Sequence, residues 1–78
     1  MSKKELLVEY ITQDIIVFLI EDFSFEIKEA IGKFYGSVTY EKLIDHETGL
    51  YLEGSAFVYD ILKSEIQSGQ LVQGDFGA

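Results

Sequence analysis

Hydrophobic residues recur every three or four positions along most of the chain, a spacing that is typical of amphipathic helices. The first periodic segment runs from residue 3 to residue 22 and contains no Gly or Pro. Ser2 precedes it as a candidate N-cap, and Glu5 brings a carboxylate to the first turn, where it faces the positive end of the helix dipole. One stripe of the segment is apolar and predicts a core-facing side with apolar flanks. The stripe consists of Leu7, Val8, Ile11, Ile15 and Phe18, and the flanks of Leu6, Tyr10 and Val17.

Six consecutive apolar residues, from Ile15 to Ile20, interrupt this spacing of apolar residues every three or four positions. A membrane-spanning helix needs about 18 to 20 such residues, so this run is too short to cross a bilayer. A strand here would be apolar on both faces and would need two covering layers, which a chain with few other strand candidates hardly provides. The run is therefore predicted to belong to the first helix.

A second helix is predicted between Ser24, its candidate N-cap, and Gly36, which is well placed for a left-handed C-terminus. Gly32 lies inside this helix, where it lowers helix stability by up to about 1 kcal/mol relative to Ala. We therefore predict that a neighbouring helix approaches closely there. Four apolar residues at positions i, i+3, i+4 and i+7 predict a single buried face. They are Ile27, Ala30, Ile31 and Phe34.

The rest of the chain predicts two more helices and a tail. Ser37 is the candidate N-cap of a helix that ends at Thr48 and Gly49, and Ser55 is the candidate N-cap of the last helix. A short extended piece over residues 50–52 separates them. The apolar faces comprise Tyr40, Leu43 and Ile44 in the third helix, and Val58, Ile61, Leu62 and Ile66, with Phe57 beside them, in the fourth. We therefore predict an all-α fold of about four helices, the first one long, with residues 1–69 as a single helical domain and residues 70–78 as a C-terminal tail.

Charge and composition narrow the classes of function. Fourteen acidic residues against six lysines, without arginine, give a formal net charge of -8. This negative charge disfavours nucleic-acid binding, which needs clustered cations. Such a charge is typical of a soluble surface, or of a surface that attracts a basic partner. The chain has no Cys and one His, so we predict no disulfide, metal site or cofactor, and a cytoplasmic location. A domain of 78 residues is only marginally stable alone, which favours oligomerisation or docking on a partner.

Two constellations suggest chemistry. His46 lies between carboxylates in "DHETG", residues 45–49, but no orienting partner or nucleophile is evident, and a solvated helix end explains the segment more simply. The length, acidity and helix-starting serines are typical of acyl carrier proteins. Their Asp-Ser-Leu signature is missing at Ser37 and Ser55, and N-capping explains both serines.

Of five tyrosines, Tyr10 and Tyr40 are predicted to fill core edges; Tyr35, Tyr51 and Tyr59 remain open as core or interface residues.

Residues 24–65 carry a resemblance to a known group of proteins. Within "SFEIKEAIGKFYGSVTYEKLIDHETGLYLEGSAFVYDILKSE", a Ser-led helix with "EA" and an aromatic residue is followed by "S.TY.KL.D..TGLY" and then by "S..VY..L..E". This succession resembles short bacterial proteins of unknown function, and its most particular element is Thr48 to Tyr51. The resemblance implies a small helical protein encoded near mobile-element or toxin-antitoxin genes, and no catalytic residue. It favours an interaction protein, with a toxin as one class of partner.

Ile16 and Ile20 fall outside the apolar stripe of the first helix, on the side that carries Glu9 and Gln13. Each isoleucine would forgo about 1.5 to 3 kcal/mol of burial in water, and an apolar patch bordered by polar residues is typical of an interaction site. We therefore predict that these four residues form a two-fold interface between copies of the chain.

The competing explanation for this patch is that the tail covers it through Leu71, Val72 or Phe76. The predicted function is a non-enzymatic, homo-oligomeric protein interaction module. The alternative is a small acidic carrier or an enzyme centred on a helix-capping serine or His46.

Overall fold

The structure is a computed structural model that describes residues 2–68. These residues form four α-helices and one short 3₁₀ helix, with no strand among them, which confirms the predicted all-α class and the long first helix. The predicted tail, including Leu71, Val72 and Phe76, lies outside the described residues. The elements are α1 (Lys3–Phe23), α2 (Ile27–Tyr35), α3 (Val38–Ile44), the 3₁₀ helix (Leu50–Leu52), where an extended piece was predicted, and α4 (Ser55–Gln67).

Helix α1 begins with the predicted cap and ends in an unpredicted one. The Ser2 hydroxyl accepts a hydrogen bond from the Glu5 N–H at 3.0 Å, and the Glu5 carboxylate accepts one from the Ser2 N–H at 2.9 Å, which together form a capping box. At the other end, Ser24 adopts a left-handed conformation with φ 58° and donates its N–H to the Ile20 carbonyl. The prediction that Ser24 caps α2 is therefore wrong, because it is the C-cap of α1 and the N-cap of α2 is Glu26.

The core-facing side of α1 is narrower than the predicted stripe. Ile11, Ile15 and Leu19 are buried, whereas Leu7 and Phe18 are only half-buried. These buried residues follow a single i, i+4 row, because α1 packs against both α2 and α4 along that row.

Two glycine predictions for α2 are wrong. Gly36 ends the helix with φ -88°, outside the left-handed region. A Cβ atom placed on Gly32 would meet nothing within 4 Å among residues 2–68, so no helix of this part of the chain approaches closely there. Gly32 is exposed to solvent, and nothing in the structure explains the residue.

Helix α4 is bonded to both α1 and α3. The Glu65 carboxylate accepts hydrogen bonds from the N–H groups of Val38 (2.9 Å) and Thr39 (3.0 Å) at the start of α3, and from the Thr39 hydroxyl at 2.7 Å. Towards α1, the Tyr59 hydroxyl donates to the Asp22 carboxylate at 2.7 Å. Each of these contacts joins residues more than 25 positions apart, so α4 connects segments that are distant in the sequence.

The serines at the starts of α3 and α4 play different roles. The Ser37 hydroxyl accepts a hydrogen bond from the Tyr40 N–H at 2.9 Å, so its predicted N-cap role is confirmed. Ser55 is the first residue of α4 and its hydroxyl donates to Asp14, while Gly54, with φ 90°, occupies the N-cap position. The prediction that Ser55 is an N-cap is therefore wrong, because its hydroxyl is used to hold α4 against α1.

One hydrophobic core lies among the four helices. Within residues 2–68, no helix is long and apolar enough to cross a membrane. Val58 and Leu62 are buried as predicted, and Ile61 and Ile66 are half-buried at the core edge. The buried apolar residues are Ile11, Ile15, Leu19, Ala30, Phe34, Leu43, Leu50, Val58, Tyr59 and Leu62.

Candidate functional site

A groove of about 770 Å³ opens between the first half of α1 on one side and the end of α2 with α3 on the other. Most of its lining side chains are also exposed to solvent. We call this feature the α1–α3 groove. Its lining residues are Ser2, Lys4, Glu5, Val8, Glu9, Thr12, Gln13, Tyr35, Tyr40 and Ile44.

Aromatic rings form one side of the α1–α3 groove. The rings of Tyr35 and Tyr40 meet edge to face at 4.8 Å between centroids, and both contact the buried ring of Phe34, at 5.4 and 5.2 Å. Phe34 is fully buried, so it supports the two tyrosines from within the core. Tyr35 nevertheless remains 48% exposed. The groove therefore presents a supported aromatic surface to solvent.

The short connection between α2 and α3 brings these rings together. Gly36 and Ser37 are the two residues between the helices. The buried Ser37 hydroxyl donates to the Phe34 carbonyl at 2.6 Å while it caps α3. This double use of one hydroxyl fixes the last turn of α2 against the first turn of α3.

Polar residues of α1 form the other side of the groove, and several of them are already engaged. The Lys4 ammonium donates to the Ile44 carbonyl at the end of α3, at 2.7 Å, where it also faces the negative pole of that helix. The Thr12 hydroxyl donates to the Val8 carbonyl at 2.8 Å, and Glu5 belongs to the capping box. Within residues 2–68, neither the Glu9 carboxylate nor the side chain of Gln13 makes a hydrogen bond or ion pair.

The four predicted interaction residues separate into two pairs. Glu9 and Gln13 are exposed and line the α1–α3 groove. Ile16 and Ile20 are half-buried and pack against the core, so the premise that the monomer leaves them in water is wrong. The physical reason is that α1 packs against both α2 and α4, so more of its circumference is covered than a single core-facing stripe implies. The two-fold pairing itself stays a prediction.

Helix α2 exposes apolar residues that were predicted to be buried. Ala30 and Phe34 are buried, but Ile27 is 61% and Ile31 is 38% exposed. The prediction of one buried face is therefore wrong for both isoleucines, because a helix of nine residues turns only part of so wide an apolar arc towards its neighbours. Ile27, Ile31 and Tyr35 follow one another at i, i+4 and i+8, so this exposed row ends at the groove.

The outer side of α1 is also more apolar than predicted. Tyr10 and Val17 are 57% and 50% exposed, and Leu6 is exposed as well. The prediction that Tyr10 fills a core edge is wrong, whereas Tyr40 does pack against the core. These three α1 residues point away from the buried row, since the core lies on the opposite side of the helix.

The residues weighed for catalysis have structural partners. At the end of α3, the Asp45 carboxylate accepts the Glu47 N–H at 3.0 Å, and His46 is exposed with its ring 6.4 Å from that of Tyr51. Ser37 is buried and bonded on both sides, as described above. Among residues 2–68, no group of three or more His, Cys, Asp or Glu side chains is arranged to hold a metal ion.

Sequence reasoning missed Tyr35, Tyr40 and Ile44 as members of one site. The available signal was the density of aromatic residues on either side of Gly36 and Ser37, because a two-residue connection forces such neighbours into contact.

Comparisons with protein-family models, with curated proteins and with solved structures find no match to this chain.

Proposed function

We propose that the protein is a non-enzymatic protein interaction module and that the α1–α3 groove is its binding site. The observation that carries this proposal is the supported but half-exposed aromatic surface of Tyr35 and Tyr40, which continues into the exposed row of α2. Tyrosine is enriched at protein interfaces because it offers a large apolar face and a polar tip at little entropic cost. Apolar surface of this kind, bordered by polar residues, is typical of interaction sites.

The shape of the groove favours a protein segment over a small molecule. A volume of about 770 Å³ falls in the range of small-molecule sites, but such sites enclose about 70 to 90% of their ligand. Here Glu9, Gln13, Tyr35 and Ile44 are all exposed at the rim. A partner would therefore be covered on one side only, as a peptide or a protein surface is.

Selection of binding peptides tests this function without a known partner. We expect that peptides selected from a random display library on the full chain lose about tenfold or more in affinity, about 1.4 kcal/mol, when Tyr35 is changed to Ala. Phe57→Ala is the matched control, since Phe57 is 50% exposed on α4, away from the groove, and it should leave affinity unchanged. Failure to select any peptide that depends on Tyr35 would contradict the proposed function.

A toxin as partner and a cytoplasmic location are parts of this proposal that the sequence alone supports. Homo-oligomerisation is an alternative proposal for the same residues, because Glu9 and Gln13 would then face a second copy instead of a partner. Light scattering of the full chain tests it by measuring the mass. The two-fold pairing through Glu9, Gln13, Ile16 and Ile20 requires a dimer that Gln13→Glu weakens, because two added carboxylates would face each other across the axis beside Glu9. A monomeric mass at all concentrations would rule out this pairing.

A further inference from the structure

We propose that the α1–α3 groove binds a short amphipathic helix that carries Lys or Arg beside its apolar face. This inference rests on the proposed function and names the chemistry of the partner. The apolar side of the partner helix lies on Tyr35, Tyr40 and Ile44, and its cationic side lies along Glu9.

Charge complementarity is the first argument. The chain has a net charge of -8, and two carboxylates, those of Glu5 and Glu9, line the groove. The lysine of the groove, Lys4, has its ammonium bonded to the Ile44 carbonyl. Glu9 is left without a hydrogen bond or cation among the described residues, at the rim where a partner's ammonium or guanidinium group reaches it without deep burial.

The length and form of the groove favour a helix. Residues of α1 line it from Ser2 to Gln13, and this stretch is about 17 Å long at 1.5 Å per residue. A partner helix of about three turns matches that length. Binding as an added strand requires an exposed sheet edge, and residues 2–68 contain no strand. An amphipathic helix that lays its apolar face into a hydrophobic groove is a common mode of peptide recognition, and it fits a groove walled by helices.

Charge disfavours the two other candidate occupants. A second copy of the chain would add eight negative charges and, in a two-fold arrangement, would bring Glu9 towards Glu9. The chain's own residues 69–78, "GQLVQGDFGA", contain Asp75 and no Lys or Arg. The segment therefore offers Glu9 no cation, and a two-fold pairing would place a second carboxylate beside it.

The probe is a fluorescein-labelled helical peptide of about four turns, with Leu along one face and Lys on the others. Its two counterparts replace every Lys by Gln or by Glu. Affinities for the full chain are measured by fluorescence anisotropy at about 0.15 M salt, where distant charges are screened. We expect the Lys peptide to bind at least about tenfold more tightly than either counterpart.

Matched variants locate the binding. Glu9→Lys should weaken the Lys peptide by about tenfold or more, whereas Asp60→Lys, the same charge change at an exposed site on α4, should weaken it by no more than about twofold. Ile44→Ala is compared with Leu52→Ala in the same way, since both side chains are exposed but Leu52 lies outside the groove lining. Circular dichroism confirms the fold of each variant.

Each contrary outcome has a distinct meaning. Equal losses of affinity with Glu9→Lys and Asp60→Lys would mean that the peptide binds by nonspecific electrostatic attraction, and would overturn the inference. Equal binding of the Lys, Gln and Glu peptides would overturn the basic partner while leaving the interaction module intact. Tighter binding by about tenfold after removal of residues 69–78 would identify that segment as the occupant, and a dimer dispersed by Glu9→Lys would identify a second copy; either result overturns the inference.

Discussion

Tyr59 both packs in the hydrophobic core and donates a hydrogen bond. Its ring lies in the core and contacts Phe18 at 5.0 Å between centroids, while its hydroxyl donates to Asp22. Burial, followed by the hydrogen bond to the Asp22 carboxylate and the negative charge of that group, raises the pKa of Tyr59 well above its ordinary value of 10.0. The phenol therefore stays protonated and keeps donating its hydrogen bond throughout the physiological range.

Tyr59→Phe is expected to lower the free energy of unfolding by about 0.5 to 1.5 kcal/mol at neutral pH, because one hydrogen bond is lost while the ring remains. Tyr10→Phe is the control, since Tyr10 is exposed and should change stability by less than about 0.5 kcal/mol. Denaturant unfolding followed by circular dichroism measures both. Equal stability of the wild type and Tyr59→Phe would contradict a contribution from this bond.

The same residue predicts a pH dependence. Because the pKa of Tyr59 is higher in the folded than in the unfolded state, its stabilisation is fully present below pH 10.0 and is lost as the pH rises above that value. The difference in unfolding free energy between the wild type and Tyr59→Phe should therefore shrink from pH 9 to pH 11, about one unit on either side of the ordinary pKa. A difference that grows with pH would have the wrong sign.

At the scale of the helices, Gly32 is the clearest opportunity for stabilisation. It lies inside α2, is exposed, and leaves open space where a Cβ atom would stand. Gly32→Ala should raise the unfolding free energy by about 0.5 to 1 kcal/mol, because Ala loses less backbone entropy on entering a helix.

Gly49→Ala provides the opposite case. Its φ of 64° lies in the left-handed region, so Ala should cost about 1 to 2 kcal/mol despite the open space around it. Thermal melting compares the two variants with the wild type. A destabilising Gly32→Ala would mean that a partner or a part of the chain outside residues 2–68 approaches α2 at that point.

Glu65 is an N-terminal cap supplied to α3 by another helix. Glu65→Ala removes three hydrogen bonds at the start of α3 and should cost about 1 to 3 kcal/mol, because the N–H groups of Val38 and Thr39 lose their acceptor. Glu65→Gln should cost less, since its amide retains one acceptor oxygen. Glu21→Ala, at an exposed position on α1, should change the midpoint of thermal unfolding little.

The existence and order of the helices were predictable, but several of their ends were not. Apolar periodicity located all four helices, and the candidate N-caps Ser2 and Ser37 marked two starts correctly. Ser55 was misassigned because its hydroxyl bonds to the distant Asp14, and Ser24 because its left-handed backbone ends α1 instead of starting α2. Glu65 could not be predicted as a cap, since a contact across 26 residues leaves no trace in local spacing.

For the whole molecule, the distribution of charge predicts how stability responds to salt. Within residues 2–68 one ion pair is formed, between Lys63 and Asp22 at 3.8 Å, with both side chains largely exposed. Most acidic groups therefore face solvent without a cation, and the net charge of -8 favours self-repulsion over attraction. Raising the salt concentration from about 0.01 to about 0.15 M shortens the screening length from about 30 to about 8 Å.

We expect the melting temperature of the full chain to rise over this range at neutral pH. Replacing sodium chloride by potassium chloride should give the same rise, because screening depends on ionic strength and not on the ion. A steady fall with salt would show that attractive ion pairs dominate.

Two of the ten residues that line the groove were identified from the sequence as interaction residues. Glu9 and Gln13 were identified by their place on α1, and both line it. Ile16 and Ile20 were misjudged because a helical wheel treats one helix alone, whereas α1 has neighbours on more than one side and both isoleucines pack against the core. Tyr35, Tyr40 and Ile44 come from two other helices, and their meeting point depends on the turn at Gly36 and Ser37.

Helix α4 contributes no residue to the groove, yet it is bonded to α1 and α3, two of the three helices that line it. Asp22 of α1 is bonded to Tyr59, and the start of α3 is bonded to Glu65. Detachment of α4 would therefore release both walls at once, so the amide hydrogens of α3 and α4 should exchange with solvent as one cooperative unit. A ligand that holds the groove closed slows this shared opening, and its binding can be detected by hydrogen exchange on a helix that it never touches.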